Sequence, residues 1–331
     1  MNRREFSTLI AGAAAASPMW PRPLRAQATI RRVGLLSPLV EDTAENGKLK
    51  GVFIQRLSEL GWTVGRNFIV EERWSGGDQE RLQSSARELA SLRAEVILAI
   101  TTPAVAVLKQ EAPAIPVVFV AVSDPVGSGF IQSLPRPGGN ITGFINLEGS
   151  LSGKWVELLK EVVPGLTHVG FMFNPDTAPF AEYYLRAFEA AAPALAVTPI
   201  AVQVRETDDI ERAIAELSAR PAGGLIVMPD TFTTLHRERI IALAARDRLP
   251  AIYPNAPTAR LGGLISYGID NAESVRGAAG YVDRILKGAK AADLPVQVPT
   301  KFELLINLKT ARALGLVIPQ PVLLRADHLI Q

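Results

Sequence analysis

Small polar and acidic residues follow many apolar runs of this chain, where a strand would end and a helix would begin. They offer hydroxyl, amide or carboxylate groups and comprise Ser37, Thr101, Thr102, Ser123, Asp124, Asn174, Asp230 and Thr231. In an open parallel sheet the carboxyl ends of the strands meet at one edge, where helix N-termini present unpaired N–H groups. The pattern therefore predicts hydrogen bonding and charge pairing with a small ligand.

Two kinds of ligand contact are expected from these groups. Thr101 and Thr102 are the best candidates for binding a carboxylate. Asp124 or Asp230 would bind an ammonium, because a carboxylate that loses its water needs a cation nearby. Thr102, Asp124 and Asn174 each precede a proline, which is also typical of a helix N-cap. The two interpretations are compatible.

Three aromatic residues stand near predicted strand ends, in a chain with only 6% aromatic residues. They are Trp74, Tyr253 and Tyr267, and they could form an apolar or cation–π wall of the same site. Packing in the core is the alternative for each of them.

Residues for bond-breaking chemistry are scarce. The chain has no cysteine, which excludes disulfides and thiolate chemistry. Its three histidines (His168, His236 and His328) lack metal-ligand spacing. No G-x-G-x-x-G, G-x-x-x-x-G-K-[ST] or G-x-S-x-G motif occurs. We therefore expect no catalytic residue, no metal and no cofactor.

The elements that would position these residues occur twice. Arg32–Pro38 is echoed by His168–Pro175, and Glu95–Thr102 by Gly224–Asp230, at an offset of about 130 residues that matches one domain. Apolar strands alternate with helical patterns, which is typical of parallel sheets covered on both faces. The sequence predicts an α/β protein with two Rossmann-like lobes and a ligand cleft between them.

Three crossings of the chain between the lobes would make a hinge. Turn-rich segments predict them after Arg136–Asn140, near Gly262–Gly268 and near Asp293–Thr300. The N-terminal lobe would comprise residues 29–145 plus about 265–292. The C-terminal lobe would comprise residues 146–264 plus about 293–331.

Residues 1–28 have the pattern of a twin-arginine export signal. Arg3 and Arg4 precede the apolar run Leu9–Ala16, which is too short to span a bilayer, and the A-x-A pattern Ala26–Ala28 follows. Its removal would leave 31 basic and 32 acidic residues, so charge gives no reason to expect nucleic acid or membrane as a partner. Without a cysteine for a lipid tether, we expect a soluble periplasmic protein.

Several motifs along the chain resemble those of a known family. They are Leu57–Trp62 with Gly65–Asn67, Ile115–Phe119 leading to Asp124–Gly127, Ser133–Gly143, Ile306–Leu316 and Arg325–Asp327. Together they resemble the ABC-transporter substrate-binding proteins whose studied relatives bind tryptophan and other aromatic amino acids. The resemblance implies the type I periplasmic-binding-protein fold, a Venus flytrap that closes on its ligand.

The primary hypothesis is a monomeric receptor that carries a small solute, an amino acid or related carboxylate, to an ABC permease of the inner membrane. An exported α/β hydrolase that uses the same cleft is the alternative from another class. A ligand-sensing module of a signalling receptor would share the fold and differ in its partner.

Overall fold

The computed structural model describes residues 30–331. The predicted export signal, residues 1–28, lies outside the described residues. Among residues 30–331, no helix combines the length and the apolar character that a membrane crossing needs.

The first half of the described chain alternates strands and helices as the apolar patterns predict. The elements are β1 (Arg31–Ser37), α1 (Ala44–Glu59), β2 (Phe68–Trp74), α2 (Gln79–Ser91), β3 (Val96–Ile100), α3 (Thr102–Glu111), β4 (Val117–Val122) and β5 (Ile141–Ile145). The five strands form one parallel sheet in the order β2-β1-β3-β4-β5. Helices cover both of its faces, as buried apolar strands require.

The second half repeats this alternation and then extends it. Its elements are α4 (Leu151–Val162), β6 (His168–Phe173), α5 (Ala181–Ala191), β7 (Thr198–Gln203), α6 (Thr207–Ser218), β8 (Gly223–Val227), α7 (Thr231–Leu235), α8 (Arg237–Arg246), β9 (Ala251–Tyr253), α9 (Ala256–Arg260), β10 (Ile265–Gly268), α10 (Asn271–Leu286), β11 (Glu303–Asn307), α11 (Leu308–Ala313), α12 (Gln320–Arg325) and β12 (His328–Ile330). Short 3-10 turns occupy Ala192–Leu195 and Ala291–Asp293.

The two sheets share one strand order, which accounts for the internal echo in the sequence. The second sheet runs β12-β11-β10-β9-β8-β6-β7, so its part β7-β6-β8-β9-β10 reproduces the order β2-β1-β3-β4-β5 of the first. Only the β10–β11 pair is antiparallel among the strand pairs of the described chain. The prediction of two Rossmann-like α/β lobes is confirmed.

The chain passes between the lobes three times, and two of the predicted bounds need correction. β10 pairs with β9 and β11 in the second sheet, so the return crossing lies at residues 269–270 rather than at about 265. Beyond it, α10 packs against α1 and the first sheet. Val296 and Val298 still pack on the first lobe, whereas Phe302 packs on the second. The last crossing therefore lies at residues 299–301, within or next to the predicted segment Asp293–Thr300, and the final segment of the C-terminal lobe begins there rather than at about 293.

Candidate ligand-binding site

A cavity of about 300 Å³ lies between the two lobes, at the edge where the carboxyl ends of both sheets meet. We call residues 100–102 and 120–122, at the ends of β3 and β4, the first-lobe rim. Residues 229–231 and 254–255, after β8 and β9, form the second-lobe rim. The beginnings of α1 and α10 and the junction of α7 with α8 add to the lining, which includes the apolar residues Leu39, Val40, Leu49, Ile100, Val120 and Phe180.

Two polar contacts join the lobes beside the cavity. The Thr231 hydroxyl donates to Thr101 Oγ1 across 3.2 Å, linking the two rims. The Arg237 guanidinium at the start of α8 pairs with the Glu45 carboxylate in the first turn of α1. Both side chains of this pair are largely buried, with 18% and 21% of their surface exposed. The structure therefore shows the cleft closed around the cavity.

The backbone of the first-lobe rim adopts unfavourable conformations at two residues. Thr101 has φ 71° and ψ 164°, in a region that is nearly restricted to glycine. Ala121 has φ 56°, next to a register shift in the pairing of β4 with β5. Conformations of this kind cost about 1–3 kcal/mol each and persist only where the surrounding structure imposes them. Two strained residues therefore lie where the first lobe meets the cavity.

The N-terminus of α3 also opens onto the cavity. Pro103 lies in its first turn, and Thr101, at the N-cap position, makes no side-chain hydrogen bond to the helix within the described chain. Thr102 Oγ1 accepts a hydrogen bond from the backbone N–H of Ser123 at 3.3 Å. Unpaired N–H groups and the helix dipole favour an anion at such a position. This end of the cavity suits a ligand carboxylate.

Asp230 supplies a buried negative charge on the second-lobe rim. Its carboxylate accepts hydrogen bonds from the backbone N–H groups of Thr233 (2.8 Å) and Asn174 (3.1 Å) and from the Thr177 hydroxyl (3.2 Å). Burial nevertheless raises the pKa of Asp230 to about 6. No Lys, Arg or His among residues 30–331 forms an ion pair with it. A ligand cation would therefore find an uncompensated carboxylate here.

Four of the eleven predicted ligand residues line the cavity. Thr101 and Thr102 lie on the first-lobe rim, and Asp230 and Thr231 lie on the second-lobe rim. The predicted association of strand ends from the two lobes places these four close together. Asp124 lies instead in a neighbouring open cleft between α3 and α5, where its carboxylate accepts a hydrogen bond from the backbone N–H of Gly127 at 2.8 Å.

The small polar residues that do not line the cavity have internal partners. Ser37 is fully buried and accepts from the backbone N–H of Leu39. The Ser123 hydroxyl lies 2.9 Å from the phenol oxygen of Tyr184, in a contact between the lobes. Asn174 accepts from two backbone N–H groups of the following turn, at 2.8 and 3.2 Å. These hydrogen bonds serve the fold, and the three residues lie outside the cavity lining.

The three predicted aromatic residues pack within the lobes. Trp74 packs against the core of the first lobe, and Tyr253 is buried in a core of the second, where burial raises the pKa of its phenol. Tyr267 stacks on Phe302 with ring centroids 5.8 Å apart. Core packing, the alternative from the sequence, applies to all three residues. Phe180 is the aromatic residue that lines the cavity among the described residues.

Sequence reasoning missed the cavity residues that belong to helix first turns. Glu45 and Asn46 in α1 and Arg237 in α8 line the cavity, although none follows a strand. The sequence contained one signal for Arg237. A cation in the first turn of a helix is unfavourable because it opposes the helix dipole, which indicates that the cation has a partner elsewhere. Arg237 occupies such a position because its partner, Glu45, lies on the other lobe.

The lining favours reversible binding of a small organic solute. Polar groups from both rims face an otherwise apolar space, the combination typical of ligand pockets. Within residues 30–331 no group of three or more His, Asp or Glu side chains is arranged to hold a metal ion.

The fold and the cavity together define a two-lobed solute-binding protein. The chain belongs to the family of ABC transporter substrate binding proteins, whose family model matches residues 33–330. These are solute-binding proteins, not enzymes, and they are typically extracellular or periplasmic. The membership confirms the resemblance seen in the sequence motifs.

Individual relatives span most of the chain. A tyrosine-binding protein of Clostridioides difficile strain R20291 is 25% identical over 284 residues, which cover 85% of this chain and 80% of that protein. The ABC domain from Streptococcus pneumoniae, solved in complex with L-Trp, has a TM-score of 0.84 at 24% identity, and a conserved domain protein of Vibrio cholerae has the same values. Both matches cover 91% of this chain and all of the other chain.

Proposed function

We propose that this protein binds an aromatic amino acid between its lobes and delivers it to an ABC permease of the inner membrane. It would do so in the periplasm, as a monomer, after removal of residues 1–28. The relatives that bind tyrosine and L-Trp support the ligand class. Membership of the ABC transporter substrate-binding family supports the permease as partner.

The observation that carries the proposal is the pairing of opposite ligand preferences at the joined rims. The N-terminus of α3 favours an anion, and the Asp230 carboxylate favours a cation. The hydrogen bond between Thr101 and Thr231 brings the two features side by side. An α-amino acid carries a carboxylate and an ammonium on one carbon, so it can satisfy both features at once.

The remaining lining supports a hydrophobic ligand side chain. Leu39, Val40 and Leu49 on and before α1, with Val275 on α10, contribute apolar side chains to the lining. Burying an aromatic side chain against such a surface contributes about 25 cal/mol per Å² of apolar area removed from water. The cavity volume lies at the lower end of the range for ligand pockets, which suits a single amino acid.

Closure would couple binding to delivery. A ligand that contacts both rims interacts more strongly with the closed state than with an open one, and only such a difference can shift the equilibrium between them. The closed form would then be the one that docks on the permease.

Calorimetric titration and thermal unfolding of residues 29–331 test the ligand class. Tryptophan, tyrosine or phenylalanine at a hundred times its dissociation constant should stabilise the protein by about 2.7 kcal/mol. Mass spectrometry of the recovered ligand should show it unaltered. Stabilisation by sugars, with no response to any aromatic amino acid, would contradict the proposal, as would conversion of the ligand.

Fractionation of cells that produce the full chain tests the location. The mature protein should appear in the periplasm. Replacing both Arg3 and Arg4 by lysine should retain it in the cytoplasm if the twin-arginine route is used. Export of the double-lysine variant at the normal level would contradict that route.

A further inference from the structure

The α1 side of the cavity contains one buried amide. Asn46, in the first turn of α1, lines the cavity beside Val40 and Leu49 and is only 9% exposed. Its backbone N–H donates to the hydroxyl of the N-cap residue Thr43 at 3.1 Å. This N-cap hydrogen bond holds the backbone of Asn46 in position at the start of α1.

The orientation of the amide follows from its hydrogen bond. Asn46 Nδ2 donates to the backbone carbonyl of Val40 at 2.6 Å, and a carbonyl cannot pair with the amide oxygen. Within residues 30–331 no side-chain or backbone donor is hydrogen-bonded to Asn46 Oδ1. Asn255 on the second-lobe rim differs, because its amide oxygen already accepts from the backbone N–H and hydroxyl of Thr258. Asn46 is thus left with a free acceptor.

Asn46 Oδ1 is an accessible acceptor in the cavity lining, and no group of the described chain donates a hydrogen bond to it. The side chains of Leu39, Val40 and Leu49 are apolar and cannot supply a donor. A ligand that carries its own donor on this side would complete the hydrogen bonding of the amide. A site built to pair with such a donor strongly disfavours an analogue that lacks it.

We propose that Asn46 determines specificity by selecting aromatic amino acids whose ring carries an N–H or O–H donor. Tryptophan and tyrosine fit this description, and phenylalanine does not. The inference rests on the proposed function, since the α-ammonium and α-carboxylate bound at the rims direct the ring toward α1. Asn46 Oδ1 then accepts from the indole N–H or the phenol O–H.

Titration of the wild-type protein and Asn46→Leu with tryptophan, tyrosine and phenylalanine tests this role. The wild type should bind tryptophan or tyrosine at least about tenfold more tightly than phenylalanine. Asn46→Leu, which keeps the branched shape of the side chain without its polar atoms, should reduce that preference to less than about threefold by weakening the donor-bearing ligand while phenylalanine binding is maintained. Asn140→Leu is the matched control, because Asn140 also donates Nδ2 to a backbone carbonyl at 2.6 Å but lies outside the cavity lining. It should keep the full preference.

Ligand analogues give a second measurement that needs no variant. 3-Benzothienylalanine replaces the indole N–H of tryptophan by sulfur, and 4-fluorophenylalanine replaces the phenol O–H of tyrosine by fluorine. The analogue of the preferred amino acid should bind the wild-type protein about tenfold more weakly than that amino acid does.

Three results would overturn the inference while leaving the ligand class intact. They are an unchanged preference in Asn46→Leu, equal weakening of all three amino acids in that variant, and analogues that bind as tightly as their parents. Equal weakening would show that Asn46 only supports the fold of α1. Failure of every aromatic amino acid to bind the wild type would instead refute the proposed function itself, and with it this role of Asn46.

Discussion

The two rims of the cavity differ in their helix caps and in their backbone conformation before a ligand binds. On the second-lobe rim, Asp230 and Asn255 have ordinary extended backbones and cap α7 and α9 with their side chains. On the first-lobe rim, Thr101 and Ala121 have positive φ, and α3 begins without a side-chain cap. Strand order does not explain the contrast, because the sheets share it.

The two rims therefore have different roles, although the two lobes share one architecture. The second-lobe rim holds a buried carboxylate in place through hydrogen bonds of its own. The first-lobe rim presents N–H groups and strained backbone to the cavity. A ligand bound there can supply the hydrogen-bond partners that these N–H groups lack. Stable positioning on one side and unsatisfied groups on the other are both needed for binding to favour the closed state.

Substitution of the second-lobe carboxylate should have the largest effect. Asp230→Asn keeps an N-cap side chain for α7 but removes the charge opposite the ligand ammonium. Affinity for an amine-bearing ligand, measured by calorimetry, should fall at least about 30-fold. Asp270→Asn is the control, because Asp270 caps α10 but is exposed and lies outside the cavity lining. Equal affinities in both variants would remove Asp230 from the ligand site.

Acidification should reproduce part of that effect without a substitution. The pKa of Asp230 is about 6 in the ligand-free protein, so its carboxyl is ionised at pH 7.5 and largely protonated at pH 5. The ammonium pairs with the ionised form, so affinity should fall about tenfold as the pH is lowered from 7.5 to 5. Asp230→Asn should show a clearly flatter pH profile. A wild-type profile that is flat or rises toward pH 5 would be inconsistent with this role.

Loss of the ion pair between the lobes should weaken binding moderately. Arg237→Gln leaves the largely buried Glu45 carboxylate without its partner and destabilises the closed state. We expect affinity to fall about fivefold and small-angle scattering to show a larger mean radius of gyration without ligand. Arg205→Gln is the matched control, since it breaks an exposed pair with Asp176 within the second lobe. A compact Arg237→Gln protein with normal affinity would show that the pair does not contribute to closure.

Relief of strain on the first-lobe rim should have the smallest effect on binding. Ala121→Gly permits the positive φ at no steric cost, so the free energy of unfolding should rise by about 1 kcal/mol in urea titrations. Affinity should change less than about twofold. Ala104→Gly within α3 should instead destabilise the protein by about 1 kcal/mol. A loss of stability in Ala121→Gly would indicate that packing of the alanine methyl group contributes more to the free energy of unfolding than the backbone strain costs.

Much of the fold follows from local pattern. The predicted alternation of strands and helices is present in both lobes, and the echo of the first lobe in the second reappears as a shared strand order. The crossing at β10 was misplaced because a glycine-rich segment is equally typical of a turn and of a strand that approaches neighbouring backbone closely. A Cβ on Gly268 would lie 1.8 Å from the Pro254 carbonyl oxygen.

The site was predictable only where it follows strand ends. Thr101, Thr102, Asp230 and Thr231 line the cavity because β3 and β8 hold the same place in their two sheets and their carboxyl ends face each other across the cleft. Tyr253 does not line the cavity, because it lies within β9 and packs in a core of the second lobe. The direction of a side chain near a strand end depends on a single residue of register, which apolar periodicity does not resolve.

Glu45, Asn46 and Arg237 are a different case. They depend on how whole helices pack across the cleft, and this packing joins parts of the chain nearly 200 residues apart. Local sequence patterns carry no information about such pairs.

The late position of α10 in the chain has a consequence for biosynthesis. This helix follows β10 of the second lobe, yet its apolar face covers the first sheet, with Val275, Ala279 and Val282 fully or almost fully buried there. A ribosome that has completed β1 to β5 has therefore made a sheet with one apolar face covered only in part, by α1. The rest of that face stays exposed until residues 271–286 emerge, so the first lobe cannot finish folding before most of the second lobe has been translated.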